Sequence, residues 1–216
     1  MSSNYFKKLW NFLWNEDSML SWTVNILLAF IIIKFLVYPG LGMLFGTNLP
    51  VVAVISESME HNGDFDKWWN SNASCNDDNI ISINYVSCSQ REWYEKKGIT
   101  KDKFLNFPMH NGFNKGDIII LRGANYDTIE IGDIIVFNSL LPYPIIHRVV
   151  NKNDVISTKG DHNPRQIVDI KINEKYITKN QIIGKAWIKI PYLGYVKIWF
   201  TEGINAVAKF FVGVAK

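Results

Sequence analysis

The chain has 216 residues, of which 48% are apolar and 20% charged, with 14 glycines. That composition excludes a disordered or low-complexity chain, and a net charge of +3, with Lys and Arg interleaved among 20 acidic residues, excludes a nucleic-acid partner. A mean hydropathy near zero beside so large an apolar fraction places the hydrophobicity in separate segments.

The first such segment is residues 20–38, LSWTVNILLAFIIIKFLVY, and its apolar character continues to Phe45. About 20 residues of this kind match a ~30 Å hydrocarbon core, so a transmembrane helix is expected. Its one charge, Lys34, can snorkel outward, and Trp22 and Tyr38 bracket it as interfacial aromatics. A cleaved signal peptide is the competing reading, but the run is long, starts late and is followed by no small-x-small site. Lys7 and Lys8 precede the span and the next basic residue after Lys34 is Lys67. The expected arrangement is a single-pass protein of the cell membrane with residues 1–47 as cytoplasmic N-terminus and anchor and the rest extracytoplasmic.

Residues 49–56 (LPVVAVIS) form a β-prone run, and others follow at 117–121, 133–137, 145–150, 155–158 and 182–190, each bounded by Gly, Pro, Asn or Asp. A mainly β domain of at least six strands is therefore expected over residues 48–191. The repeated GDIII and GDIIV strings read as two turn-then-strand entries. Residues 61–113 shift to polar and aromatic composition, with Trp68, Trp69, Trp93 and Tyr94, and are read as an insertion on that domain. Within it 90–97 and 100–106 have helical character, with Thr100 as N-cap. Cys75 and Cys88 fit either a disulfide or two free thiols, and the sequon at Asn72 would be accessible outside the cell. Residues 192–216 are apolar with Lys197, Glu202 and Lys209 recurring, which suits an amphipathic segment lying on the membrane, a second transmembrane helix being the alternative.

Reactive side chains gather at Ser56-Glu57-Ser58-Met59 after the first strand, at His147-Arg148 inside IIHRVV, and at Lys159-Gly160-Asp161-His162-Asn163-Pro164 with Asp169 beyond. Serine, histidine and aspartate on separate strand ends are the parts of a nucleophile, a base and an orienting carboxylate. A metal site from His61, His110, His147, His162 and the cysteines lacks ligand spacing, so neither metal nor cofactor is expected. A membrane-anchored binding or surface protein without enzymatic activity also fits the composition.

The anchor, VVAVISESM, GDIIVF, PIIHRVV, STKGDHN and IPYLGYVKI, in this order, resemble type I signal peptidases of the archaeal and endoplasmic-reticulum type. The resemblance implies a β-rich catalytic domain tethered to the membrane that removes signal peptides from exported preproteins, cleaving after small residues. Its partners would be those signal peptides, membrane lipid and the translocation machinery, with no nucleic acid. Ser58 would be the nucleophile and His147 the base, where the bacterial branch has a lysine. A lysine must be lowered from ~10.4, whereas histidine starts near ~6.5, so the histidine site can be more polar. The resemblance implies two acidic residues, Asp161 and Asp169, of which Asp169 is preferred for the triad although it stands eight positions on, not about six. The oxyanion would be held by the Ser58 N–H and the Ser56 hydroxyl, and Glu57 stands where glycine is commoner.

Overall fold

The computed structural model describes residues 2–75 and 86–194. The chain forms two compact units, Met1–Asn48 and Leu49–Lys216. In the first, helix α1 (Ser2–Trp14) precedes α2 (Met19–Ile32), which is capped by Ser18 Oγ accepting the Ser21 N–H at 3.1 Å. A π-helical stretch at Ile33–Val37 leads into α3 (Tyr38–Phe45). Pro39 explains that irregularity: its ring would collide with the carbonyl four residues back, and the wider turn, in which Tyr38 N–H reaches Ile33 O, relieves the clash. The helix stops at Gly46, whose φ of 64° suits a glycine cap. From Met19 to Phe45 it runs 27 residues, long and apolar enough to cross a membrane, as expected for the anchor.

The second unit is built on strands β1 (Val51–Ala53), β4 (Ile118–Arg122), β5 (Ile134–Phe137), β6 (Ile145–Lys152), β7 (Ile156–Lys159) and β8 (Ile182–Ile190), with β2 (Asn72–Ser74) and β3 (Ser87–Ser89) as a separate antiparallel pair. The six strands form one antiparallel sheet in the order β1-β4-β8-β5-β6-β7, the β-rich architecture expected from the sequence. All of β5 is buried because the sheet is covered on both faces. Ile134 and Val136 join Val54, Met59, Phe113, Ile119 and Leu121 in one cluster, while Ile135 and Phe137 join Ile129, Val149, Ile156 and Ile177 in another. The two Gly-Asp entries behave alike. Asp117 Oδ2 accepts from Asn114 N–H at 2.9 Å and Asp133 Oδ2 from Glu130 N–H at 2.8 Å, so each aspartate closes the turn that launches a strand. Gly132 has φ 98°, and a Cβ there would meet the Phe107 ring at 2.2 Å.

Residues 61–113 carry helices α4 (Phe65–Trp69), α5 (Gln90–Lys96) and α6 (Lys101–Leu105) together with β2 and β3. Helix α4 and the strand pair lack a clear apolar period in the sequence and are formed by packing. Trp68, Trp69, Trp93, Tyr94, Ile99, Phe104 and Phe107 make a core of their own, and Val150 of β6 joins it to the sheet. Phe104 sits at its centre, with ring centroids 5.0 Å from both Trp68 and Tyr94. Cys75, one residue past β2, forms a disulfide with Cys88 in the middle of β3. The amphipathic segment expected at 192–216 lies, beyond Gly194, outside the described residues.

The disulfide closes a loop with a sequence separation of 13 residues. A Cys75→Ser/Cys88→Ser chain should lose roughly 3 kcal/mol of stability, read from urea unfolding of the two forms at one pH.

Candidate active site

Strand β1 ends as Val54 N–H donates to Asp117 O at 2.9 Å, and the chain turns through Ser56, Glu57 and Ser58. That turn is tied down from two directions: Ser58 O accepts from His162 N–H at 2.9 Å, and Met59 O from Phe113 N–H at 3.1 Å. Met59 is fully buried in the core, while Glu57 points to solvent. Ser58 is thereby presented at the mouth of an apolar cavity of about 500 Å³, lined by Val52, Val54, Ile145, Ile146, Ile167 and Ile172 among others.

His147 comes from β6, paired opposite Ile135 of β5, and is 3% exposed. Its Nε2 lies 2.9 Å from Ser58 Oγ, and its Nδ1 is hydrogen-bonded to Glu174 Oε1. Glu174 is wholly buried. Its carboxylate also accepts from Thr158 Oγ1 at 3.2 Å and from Ile167 N–H at 2.6 Å. Its backbone is fixed as well, its N–H donating to Ile167 O at 2.9 Å and its carbonyl accepting from Thr158 N–H at 2.8 Å. A buried carboxylate with this many donors is held in one orientation. Ser56 Oγ lies 3.2 Å from Ser58 Oγ.

The carboxylate on His147 is therefore neither Asp169 nor Asp161, the two expected. Asp169 is exposed and spends Oδ1 on the N–H groups of Lys171 and Ile172, at 2.7 and 2.8 Å, closing a turn. Asp161 is buried among other partners. Arg148 donates to it through Nε at 2.9 Å and Nη2 at 2.7 Å, Tyr94 through its hydroxyl at 3.1 Å, and His61 Nε2 stands 3.1 Å from Oδ2. Because successive residues of a strand face opposite ways, His147 meets the cavity while Arg148 points into the aromatic core. Arg148 also donates to the carbonyls of Pro108, Gly132 and Met109 and lies 4.8 Å from the Phe104 ring centroid. Sequence reasoning missed Glu174 by looking for aspartate at a set spacing, and no local pattern around Glu174 marks it out.

Burial alone would raise the pKa of Asp161, but the Arg148 guanidinium and His61 hold it well below the usual carboxylate range. Burial lowers His61, against the pull of Asp161. Burial raises Tyr94 well above its ordinary value, the Asp161 charge adding to the effect. His61 is stacked on Trp68 with ring centroids 3.7 Å apart. Among the described residues no group of three or more His, Cys, Asp or Glu side chains could hold a metal ion.

No family model matches the chain. The signal peptidase complex catalytic subunit SEC11 of Saccharomyces cerevisiae, in strains YJM789 and RM11-1a, is 33% identical to it over 115 residues, covering 49% of this chain and 67% of the relative. The chain belongs to the signal peptidases of the endoplasmic-reticulum and archaeal type. The glutamate hydrogen-bonded to His147 is a property of this chain's own geometry.

Two outcomes are expected. Arg148→Met removes the partner of a fully buried carboxylate and should cost about 3–5 kcal/mol in denaturant unfolding. The unfolded chain takes up the His61 proton before the folded one, so stability is complete above 6.5, the ordinary value, and declines as the pH falls below it. Asp161 adds a second decline below its ordinary value of 3.8, where the unfolded carboxyl is protonated first. Urea midpoints across pH 3–8 should show both steps, and His61→Gln should remove only the upper one.

Proposed function

We infer that this chain is a membrane-anchored serine endopeptidase that removes signal peptides from exported preproteins, with Ser58 as nucleophile, His147 as general base and Glu174 as the orienting carboxylate. The hydrogen-bonded run from Ser58 Oγ through His147 to Glu174 carries that reading. His147 Nε2 takes the Ser58 proton as Oγ attacks the scissile carbonyl, and Glu174 accepts Nδ1–H, holding the tautomer that leaves Nε2 free to receive it. The developing oxyanion is met by the Ser58 N–H and the Ser56 hydroxyl. Collapse of the tetrahedral species breaks the peptide bond as His147 protonates the leaving amine. A water molecule, deprotonated by the same nitrogen, then attacks the acyl ester and releases Ser58. Asp161 is a positioning residue in this scheme, since the loop it anchors donates His162 N–H to Ser58 O.

The substrate lies extended along β1, which is an edge strand and whose residues line the cavity. Main-chain hydrogen bonds to that edge supply affinity, and alternate side chains enter the apolar cavity, which selects small residues before the cut. SEC11 is named as the catalytic subunit of a complex, and this chain is proposed to meet its substrates beside the translocation machinery. We assign residues 1–47 to the cytoplasmic terminus and anchor, 48–191 to an extracytoplasmic catalytic domain bearing the 61–113 insertion, and 192–216 to a membrane-associated segment. Lys7 and Lys8 before the apolar helix support that orientation, and a disulfide suits the oxidising side.

Cleavage of a preprotein by the purified chain in detergent, with the new N-terminus sequenced, tests this. Ser58→Ala should abolish cleavage, and Glu174→Gln should lower kcat by ~10²–10⁴-fold. Asp169→Asn, on the exposed turn, should leave the rate within about twofold, since surface changes stay within ~0.5 kcal/mol. Normal processing by Ser58→Ala would overturn the mechanism.

A further inference from the structure

The cavity beside Ser58 is lined by a residue with a buried, unpaired donor that the mechanism leaves idle. Asn163 lines it together with Ser58 and His147, and its Nδ2 is buried without a hydrogen-bond partner. A buried donor left unpaired forfeits its hydrogen bond to water and gains none in return, which is why such groups are rare in folded proteins. The other unpartnered buried side-chain atoms among the described residues, His61 Nδ1, Ser74 Oγ and Trp93 Nε1, belong to residues that do not line this cavity.

The backbone that carries this amide is fixed from both sides. Asn163 N–H donates to Gly160 O at 3.0 Å, and Asn163 O accepts from Gln90 Nε2 of α5 at 3.1 Å. Pro164 follows with φ fixed by its ring, and its carbonyl accepts from Ser74 N–H at 2.9 Å. Gly160 shows how near the amide stands to the chemistry. A Cβ added there would lie 2.7 Å from Asn163 Nδ2, 2.7 Å from Ser58 O and 2.8 Å from His147 Nε2. Donor, base and the carbonyl of the nucleophile thus border a single point.

We propose that Asn163 is a substrate-binding residue whose Nδ2 donates a hydrogen bond to a main-chain carbonyl of the preprotein next to the scissile bond. An extended peptide carries a carbonyl at every residue, and one that enters this cavity needs donors for those turned away from the β1 edge. The Asn163 backbone is already fixed, so a turn of its side chain alone brings the buried Nδ2 to the cavity and supplies one. The insertion acquires a part in recognition through the same contacts, since Gln90 and Ser74 belong to it and both hold the Asn163 segment.

The proposal rests on the serine-peptidase reading of the same site. The test measures steady-state cleavage of a synthetic peptide with an apolar core and an Ala-x-Ala site by the full chain, its Asn163→Leu form and its Ser58→Ala form, with thermal unfolding of each. Leucine keeps the shape of the side chain and removes the donor. Asn163→Leu should raise KM about 5- to 10-fold with kcat little changed, because the bond is present in the bound ground state as well as the transition state. Its unfolding temperature should not fall, since no partner within the protein is lost. An unchanged KM overturns the proposal, as does a fall in kcat alone, or a loss of activity that tracks a loss of stability. Any of these three results with an inactive Ser58→Ala sinks only the Asn163 contact, whereas an active Ser58→Ala sinks the serine mechanism beneath it.

Discussion

A guanidinium and a carboxylate, both removed from water, hold the second unit together. Arg148 leaves β6 on the face opposite His147 and lies against the Phe104 ring, fully buried, where its charge has no solvent to stabilise it. Asp161 supplies the counter-charge, and the carbonyls of Pro108, Met109 and Gly132 take the remaining donors. A buried pair is tolerable only when hydrogen bonding is this complete. Each partner drags a segment with it. Arg148 brings the sheet, Asp161 the loop after β7, and the carbonyls of Pro108 and Met109 the end of the insertion.

The proposed active site is the other side of that arrangement. The loop that presents Asp161 to Arg148 also gives His162 N–H to Ser58 O, and Gly160 lies so close to His147 Nε2 and Ser58 O that any side chain would separate them. Lys159, immediately before, is buried against Trp93 and Tyr94 and donates to Gln90 Oε1 at 2.8 Å. Five consecutive residues, from Lys159 to Asn163, therefore link the aromatic core to the nucleophile. The insertion acts here as a buttress: its rings exclude water from the ion pair, and its polar groups fix the loop that flanks Ser58.

Much of this unit is legible in the sequence. The six sheet strands stand out as short apolar runs between Gly, Pro, Asn and Asp, and both Gly-Asp entries announce a turn followed by a strand. Helices α5 and α6 fall where 90–97 and 100–106 have helical character, and Thr100 caps the second as expected, its Oγ1 accepting from Lys103 N–H. Ser58 and His147 are picked out by the wording around them. The carboxylate is not, because its position depends on how the chain between Gln166 and Ile177 folds back onto β7. There Glu174 pairs its backbone with Ile167 and Thr158, a match between residues that no local period announces. Asp169, the acidic residue closer to the expected spacing than Glu174, is captured by its own turn.

The sequence by itself determined the apolar helix, the six strands and the aromatic character of residues 61–113, since these rest on composition and on periods of two or about 3.6 residues within one segment, while Ser58 and His147 stand out only through the resemblance of the motifs around them. Tertiary structure alone decided that Glu174 and not an aspartate meets His147, that Asp161 neutralises Arg148, that Cys75 joins Cys88, and that Asn163 lines the cavity. Each of those is a meeting of side chains from distant segments. Charge burial, hydrogen-bond satisfaction and packing select among the several partners that local sequence leaves equally available.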